Sequence, residues 1–260
     1  MRERTLCTQL APDGRLRRPR GEAPRRSATQ TEAAMKHVSW GIGIFLFAML
    51  GTIGYGQEKV ITPELGKILD GTSWKVSNAT AEAVELEGRH AVRLKAKGDS
   101  ADGIIGLALV NGSELATGTI EIELKGKNVR QESFLGVAFN VVDEKTFEAV
   151  YFRPFNFKAE GVFKGRAVQY VAWPENTWEK LRETRPGIFE APINPVPNPD
   201  GWFRARIEVG EKQVRVFVEQ AKEPTLTVNR LAEGGKGRPV GLFVDVSDGL
   251  YANLKFMPAK

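Results

Sequence analysis

The chain has 260 residues, a net charge of +5, one cysteine and two histidines. A single cysteine excludes an intrachain disulfide, and so few cysteines and histidines exclude a zinc site of the usual Cys and His type. Eight arginines lie in residues 1–34, and residues 57–260 carry equal numbers of basic and acidic side chains, so charge does not favour nucleic-acid binding.

Residues 1–34 have the composition of a segment that does not fold. Their arginines are interspersed with Pro, Gly, Ala and Thr, and no hydrophobic period of 2 or 3.6 is visible. We interpret the segment as upstream sequence that is untranslated or disordered. The alternative is a basic arm for nucleic acid or membrane, but such an arm would be removed together with the signal peptide described next.

Residues 35–56 have the parts of a secretory signal peptide. Met35 and Lys36 start a charged end, an apolar run follows from Trp40 to Ile53, and small residues lead to a polar junction after Gly56. The apolar run of 14 residues is shorter than the ~20 that a spanning helix needs. We therefore expect a secreted or periplasmic protein whose signal peptide starts at Met35, with no stable membrane span after cleavage.

From residue 57 onward the dominant hydrophobic period is two. The runs 119–125, 202–209 and 214–219 alternate apolar and charged residues, as a strand with one buried face does. Turn residues separate them from further apolar runs, and the pattern predicts an all-β fold, a two-sheet antiparallel β-sandwich that forms a single domain over 57–260. The other predicted strands are 80–86, 89–97, 103–110, 133–142, 147–154, 166–173, 225–230, 239–246 and 250–257.

The Pro-rich stretch 174–201 interrupts this pattern with six prolines. Within it, residues 175–182 could form two turns of helix. A loop of this length between strands is uncommon in a compact domain and is often functional. The alternative is a surface lobe without a function of its own.

Six runs of the sequence carry a resemblance to known proteins: 118–123, 134–140, 149–157, 167–170, 241–244 and 251–256. The most specific part is Tyr151-Phe152-Arg153-Pro154-Phe155-Asn156-Phe157. These runs resemble the concanavalin A-like lectin/glucanase superfamily, which includes laminin G-like domains, and within it the chain is most similar to the 3-keto-disaccharide hydrolase family. The resemblance implies a concanavalin A-like jelly roll of two curved antiparallel sheets with glycan contact on the concave face.

One face of the predicted central strands combines small residues with polar ones. Amide and guanidinium groups match the hydroxyl groups of a sugar, and flat aromatic rings match its C–H faces. We therefore predict a ligand groove with two tryptophans at its rim. The alternative is that Arg153 pairs with a nearby carboxylate and Trp173 packs under the Pro-rich loop. The predicted ligand-binding residues are Asn140, Tyr151, Arg153, Gln169, Trp173 and Trp178.

Catalysis needs a carboxyl group at this groove, and the candidates are Glu148, Glu175 and Glu179. No phosphate loop or dinucleotide motif is present, and we predict no cofactor and no metal. Calcium at the acidic turns 99–102 and 245–248 is the alternative, although turns use Asp routinely.

The sequence therefore predicts a secreted carbohydrate-recognising jelly roll whose partner is a glycan or small saccharide. One hypothesis is that it hydrolyses a glycoside or a 3-keto-disaccharide. The alternative is a non-catalytic glycan-binding module, or a structural or adhesive module of an exported complex.

Overall fold

A computed structural model describes residues 59–259. The predicted upstream segment, 1–34, and the predicted signal peptide, 35–56, lie outside the described residues. Short 3-10 helices occur at Leu65–Lys67, Ser100–Asp102, Pro154–Asn156 and Gly161–Arg166, and the α-helix α1 spans Trp178–Thr184. The strands are β1 (Trp74–Ser77), β2 (Ala79–Leu86), β3 (Arg89–Ala96), β4 (Gly106–Val110), β5 (Gly118–Lys125), β6 (Ser133–Asp143), β7 (Thr146–Phe152), β8 (Val168–Trp173), β9 (Glu190–Ala191), β10 (Phe203–Val209), β11 (Gln213–Val218), β12 (Leu226–Asn229) and β13 (Gly241–Pro258).

The strands form two antiparallel sheets that share the long strand β13. Sheet 1 has the order β2-β3-β13-β5-β10-β11-β12, and sheet 2 has the order β1-β4-β13-β6-β7-β8-β9. Residues 241–247 of β13 pair within sheet 2, and residues 248–258 pair within sheet 1. The predicted fold class, an all-β two-sheet antiparallel sandwich, is confirmed by this pairing.

Strand β13 passes between the sheets at an irregular point. Its register against β6 shifts between Asp245 and Ser247, and Val246 and Ser247 have φ values of 53° and 63°. A bulge of this kind bends a strand and changes the direction of its side chains. The bend explains why the sequence pattern predicted two strands, 239–246 and 250–257, where the structure has one.

Alternate residues of the central strands form the core between the sheets. Val137 and Phe139 of β6 and Val150 and Phe152 of β7 are each at most 1% exposed. The ring of Phe152 meets that of Phe203 in sheet 1 with centroids 5.2 Å apart. Residues in between these positions, such as Phe134 and Tyr151, therefore lie on the outer face of sheet 2.

The Pro-rich stretch 174–201 is integrated into the domain. Leu181 of α1, together with Phe189 and Ile193 further along, is buried, and α1 contacts β8. The helix starts later than predicted because residue 176 still pairs with Ala172, and the side chain of Thr177 then caps it. No helix between residues 59 and 259 has the length and apolar character needed to cross a bilayer.

Candidate functional site

A pocket of about 410 Å³ opens on the outer face of sheet 2. Its floor consists of Phe134 of β6, Asp245 of β13 and Arg153, the residue that directly follows β7. One wall is α1, and another is the pair of 3-10 helices after β7. Turns before β4 and before β6 complete the rim. The wall and rim residues include Asp99, Ser100, Arg130, Phe155, Phe163, Arg166, Trp178 and Arg182.

Arg153 lies at the centre of the floor and is 3% exposed. Its Nη2 donates to the Tyr151 hydroxyl and to Gln169 Oε1, each at 2.8 Å, and its Nη1 donates to the carbonyl of Arg166 at 3.1 Å. The guanidinium also lies over the rings of Tyr151 and Phe134, at 4.8 and 5.5 Å from their centroids. The predicted grouping of Tyr151, Arg153 and Gln169 on one face is thus what the structure shows.

The local chain direction places Arg153 at this position. Pro154 starts a 3-10 helix, and its ring nitrogen cannot donate to a ladder. The backbone N–H of Arg153 makes the last bond of the strand, to the carbonyl of Ala167 at 2.8 Å. The side chain therefore leaves from a strand end, where it can reach the pocket.

Asp245 is the buried carboxyl of the floor, with 3% of the residue exposed. Its Oδ1 accepts a hydrogen bond of 2.8 Å from the backbone N–H of Ser100. Burial raises the pKa of this carboxyl to about 6, because the charged form loses its hydration. The group therefore exchanges a proton close to neutral pH, as an acid–base catalyst must.

Guanidinium groups lie over aromatic rings on the walls of the pocket. Arg182 lies over Trp178, with its central carbon 4.7 Å from the ring centroid. Arg130 and Arg166 lie 4.6 and 5.7 Å from the centroid of Phe163. Such pairs combine flat apolar surface with hydrogen-bond donors.

Asn140 does not belong to this site, and its predicted place on the outer face is wrong. Its Nδ2 donates to Glu148 Oε2 at 2.7 Å and to the carbonyl of Glu233 at 3.1 Å, on the inward side of sheet 2. The cause is a register shift in β6 after Phe139, with φ of Asn140 at 51°. A bulge reverses the facing of the residues that follow it, and the alternation rule does not anticipate that.

The two predicted rim tryptophans have different surroundings. Trp178 lines the pocket, and its Nε1 lies 3.4 Å from the hydroxyl of Ser100. Trp173 does not line it. Its ring stacks on that of Phe147, with centroids 6.2 Å apart, at the far end of β7. The predicted role of Trp173 at the rim is therefore wrong.

None of the three predicted catalytic acids lines the pocket. Glu148 is fully buried on the inward face of β7, where Arg230, Tyr170 and Asn140 bind its carboxylate. Glu175 and Glu179 are exposed. Glu148 is sealed from any substrate, so its assignment as a catalytic acid is wrong.

Sequence reasoning missed Asp245 and the wall arginines as members of one site. Asp245 interrupts an apolar run, Gly241–Val244, at a position that β pairing buries, and a carboxyl in a buried strand is a signal of function. Its position in the acidic turn 245–248 suggested only the alternative of a calcium site, beside the prediction of no metal. Among residues 59–259, no group of three or more His, Cys, Asp or Glu side chains could hold a metal ion.

No family model matches the sequence, and no curated protein sequence matches it. Among solved structures, the chain is similar to the carbohydrate-binding module CBM66 from Bacillus subtilis, with 15% identity over 71% of this chain and 95% of that one and a TM-score of 0.47. A Bacillus subtilis protein with a galectin-like fold gives 9% identity, coverage of 76% and 94%, and a TM-score of 0.48. A β-1,3-glucanase from Mycobacterium marinum is 13% identical over 77% of this chain and 98% of that one, with a TM-score of 0.46.

Proposed function

We propose that this protein is an exported jelly roll that binds a saccharide in the pocket on the outer face of sheet 2. The observation that carries the proposal is the composition of that pocket: ring faces of Trp178 and Phe163, guanidinium donors and one buried carboxyl around a single concavity. Rings stack on the C–H faces of sugars, and the polar groups exchange hydrogen bonds with hydroxyls. The volume of about 410 Å³ falls within the range of ligand pockets, roughly 300–1,000 Å³.

A glycan array followed by calorimetry on the purified protein tests this proposal. Phe163→Ala removes a ring of the pocket wall and should weaken binding of the selected glycan by about tenfold, which is 1.4 kcal/mol. Val162→Ala is the matched control, because Val162 is exposed in the same 3-10 helix and does not line the pocket. Binding to no glycan, or equal effects of both substitutions, would contradict the proposal and favour a structural or adhesive module.

Hydrolysis of a glycoside or of a 3-keto-disaccharide is the second candidate function, and Asp245 is the observation that favours it. A general acid must hold a proton near the working pH, and burial gives Asp245 this property. The other carboxyl of the pocket, Asp99, accepts a hydrogen bond of 3.2 Å from the backbone of Asp102 and caps a 3-10 helix. A glycosidase normally uses two carboxyl groups, so Asp99 is the available partner.

Product release separates catalysis from binding. Asp245→Asn should abolish the release of reducing sugar while it keeps affinity for the saccharide within about threefold. Asp200→Asn, at an exposed position outside the pocket, should keep both the release of reducing sugar and the affinity for the saccharide. Wild-type protein that binds a saccharide but releases no product from it would exclude hydrolysis and leave the binding function.

Export is part of the proposal and rests on the sequence pattern of residues 35–56. Expression from Met35 in a secreting bacterium, followed by N-terminal sequencing, should give a mature protein that starts at Gln57. Intact protein retained in the cytoplasm with residues 35–56 attached would contradict it.

A further inference from the structure

Arg153 is a buried cation without a carboxylate partner among the described residues. Its hydrogen bonds go to a hydroxyl, an amide oxygen and a backbone carbonyl. Burial raises the pKa of the Tyr151 hydroxyl above its ordinary value, so this partner stays neutral. Burying a charge without a counter-ion is costly, and the rings of Tyr151 and Phe134 compensate only part of that cost. An anionic group on a bound ligand would compensate the remaining cost of burying the Arg153 charge.

Arg166 provides a second, independent observation on the pocket wall. Its Nε is buried and has no hydrogen-bond partner within residues 59–259. The closest carboxylate oxygen, Glu190 Oε1, lies 3.6 Å from this Nε. Arg182 already engages this carboxylate: its Nη2 and Nε donate to Oε2 at 2.7 and 2.9 Å, and its Nε also lies 3.2 Å from Oε1. A buried donor without an acceptor points to a ligand that brings the acceptor.

The charged side chains of the pocket also favour an anionic ligand. Four guanidinium groups line it, from Arg130, Arg153, Arg166 and Arg182, against the two carboxyls of Asp99 and Asp245. Arg182 is balanced by Glu190. The pocket thus combines an excess of positive charge with an excess of planar N–H donors, which is the pattern that recognises carboxylate, sulfate and phosphate oxygens.

We propose that the pocket selects a saccharide that carries an oxyanionic group, either the carboxylate of a uronic acid or a sulfate ester, and that this group binds against Arg153 and Arg166. The inference rests on the proposed saccharide-binding function and specifies its ligand. The rings of Trp178 and Phe163 would hold the sugar, while the guanidinium groups distinguish acidic from neutral sugars of the same shape. Nothing in the function proposed above requires this preference.

Matched pairs of saccharides test the preference by calorimetry at low and at physiological salt. One arm compares oligogalacturonate with the same oligomer as its methyl ester, and the other compares chondroitin sulfate oligosaccharides with their desulfated forms. At least one acidic member should bind more than tenfold tighter than its neutral counterpart, with a preference that falls as salt rises. The two arms distinguish a carboxylate from a sulfate ester.

Substitutions then locate the preference. Arg166→Gln should reduce the acidic-to-neutral ratio at least fivefold, because the acidic saccharide loses a charged contact where the neutral one loses at most a hydrogen bond. Arg204→Gln, an exposed arginine of sheet 1, should leave the ratio as in wild type. Circular dichroism of both variants verifies the fold.

The outcomes separate the two proposals. If neutral saccharides bind as tightly as their acidic counterparts, or if Arg166→Gln leaves the ratio unchanged, the oxyanion inference is wrong and saccharide binding stands. If no member of either pair binds while a neutral glycan of the array does, the oxyanion inference is again wrong and saccharide binding stands. If no glycan of the array binds either, the saccharide-binding function itself is wrong.

Discussion

Glu148 and Arg230 form a buried ion pair inside the sandwich, with side chains 0% and 3% exposed. Arg230 Nε donates to Glu148 Oε1 at 3.1 Å, and its Nη2 donates to Oε2. The Tyr170 hydroxyl donates to the same carboxylate and accepts from the backbone N–H of Leu231 at 3.0 Å. The pair therefore ties the connection between β12 and β13 to the centre of sheet 2.

Loss of one partner of this pair should be strongly destabilising. Arg230→Ala leaves the Glu148 carboxylate buried without a counter-ion, and the free energy of unfolding should fall by about 3–5 kcal/mol in urea denaturation. Lys255→Ala is the control, because it removes a partly exposed surface pair with Glu121 and should cost below about 1 kcal/mol. Equal losses of unfolding free energy in the two variants would mean that the buried pair stabilises the fold no more than the surface pair.

The core position of Phe139 gives a second stability prediction. Its side chain is 1% exposed and lies between the sheets, so Phe139→Ala removes buried apolar surface and leaves a cavity. We expect a loss of about 3–5 kcal/mol in the free energy of unfolding. Val142→Ala on the same strand, at a residue 53% exposed, should cost much less. A loss below about 1 kcal/mol for Phe139→Ala would contradict the assignment of the faces.

Asp245 should make stability depend on pH. Burial raises its folded-state pKa from 3.8 to about 6, so the folded chain holds a proton that the unfolded chain releases between these values. The contribution of this group is therefore greatest below about pH 4 and falls as pH rises to about 6. Asp245→Asn keeps an acceptor for Ser100 but never charges, and should raise the free energy of unfolding at pH 7 by on the order of 3 kcal/mol.

Urea denaturation of wild type and Asp245→Asn at pH 4 and pH 7 makes this measurement. The difference between the two proteins should be small at pH 4 and appear at pH 7. A difference that stays constant across this range would show that Asp245 titrates at its ordinary pKa.

Tyr151 should act on the ligand through Arg153, because it is 2% exposed and does not line the pocket. Tyr151→Phe removes one hydrogen bond from the guanidinium and should cost about 1 kcal/mol of stability. The affinity for the saccharide should fall several-fold at unchanged stoichiometry, since Arg153 loses a positioning contact. Unchanged affinity in calorimetry would show that the Tyr151 hydroxyl serves the fold alone.

The alternation of apolar and polar residues predicts most of the sandwich, because a strand with one buried face must repeat with period two. It also places Glu148 on the same face as Val150 and Phe152, which are core residues. It cannot show that Arg230, which lies 82 residues away, supplies the counter-ion. The short edge strands β1 and β9 are missed, and the two residues of β9 carry too little pattern for any periodicity to show.

The candidate site was predictable where the strands are regular and not where they bulge. Arg153, Tyr151 and Gln169 lie on one face of β7 and β8 as the period requires. Asn140 lies after a register shift and faces the other way. Asp245 and the wall arginines meet only through the tertiary fold, so a pattern local in sequence does not group them.

The measurement that tests the central claim most directly is the affinity of the selected saccharide for two tryptophan variants. Trp178 lines the pocket, whereas Trp173 stacks on Phe147 outside it. Replacing either by Ala removes the same kind of side chain, so the two variants differ only in its position. Trp178→Ala should weaken binding at least tenfold, and Trp173→Ala should change it less than twofold once circular dichroism shows both variants folded. Retained affinity in Trp178→Ala, or an equal loss in Trp173→Ala, would contradict the assignment of the saccharide site to this pocket.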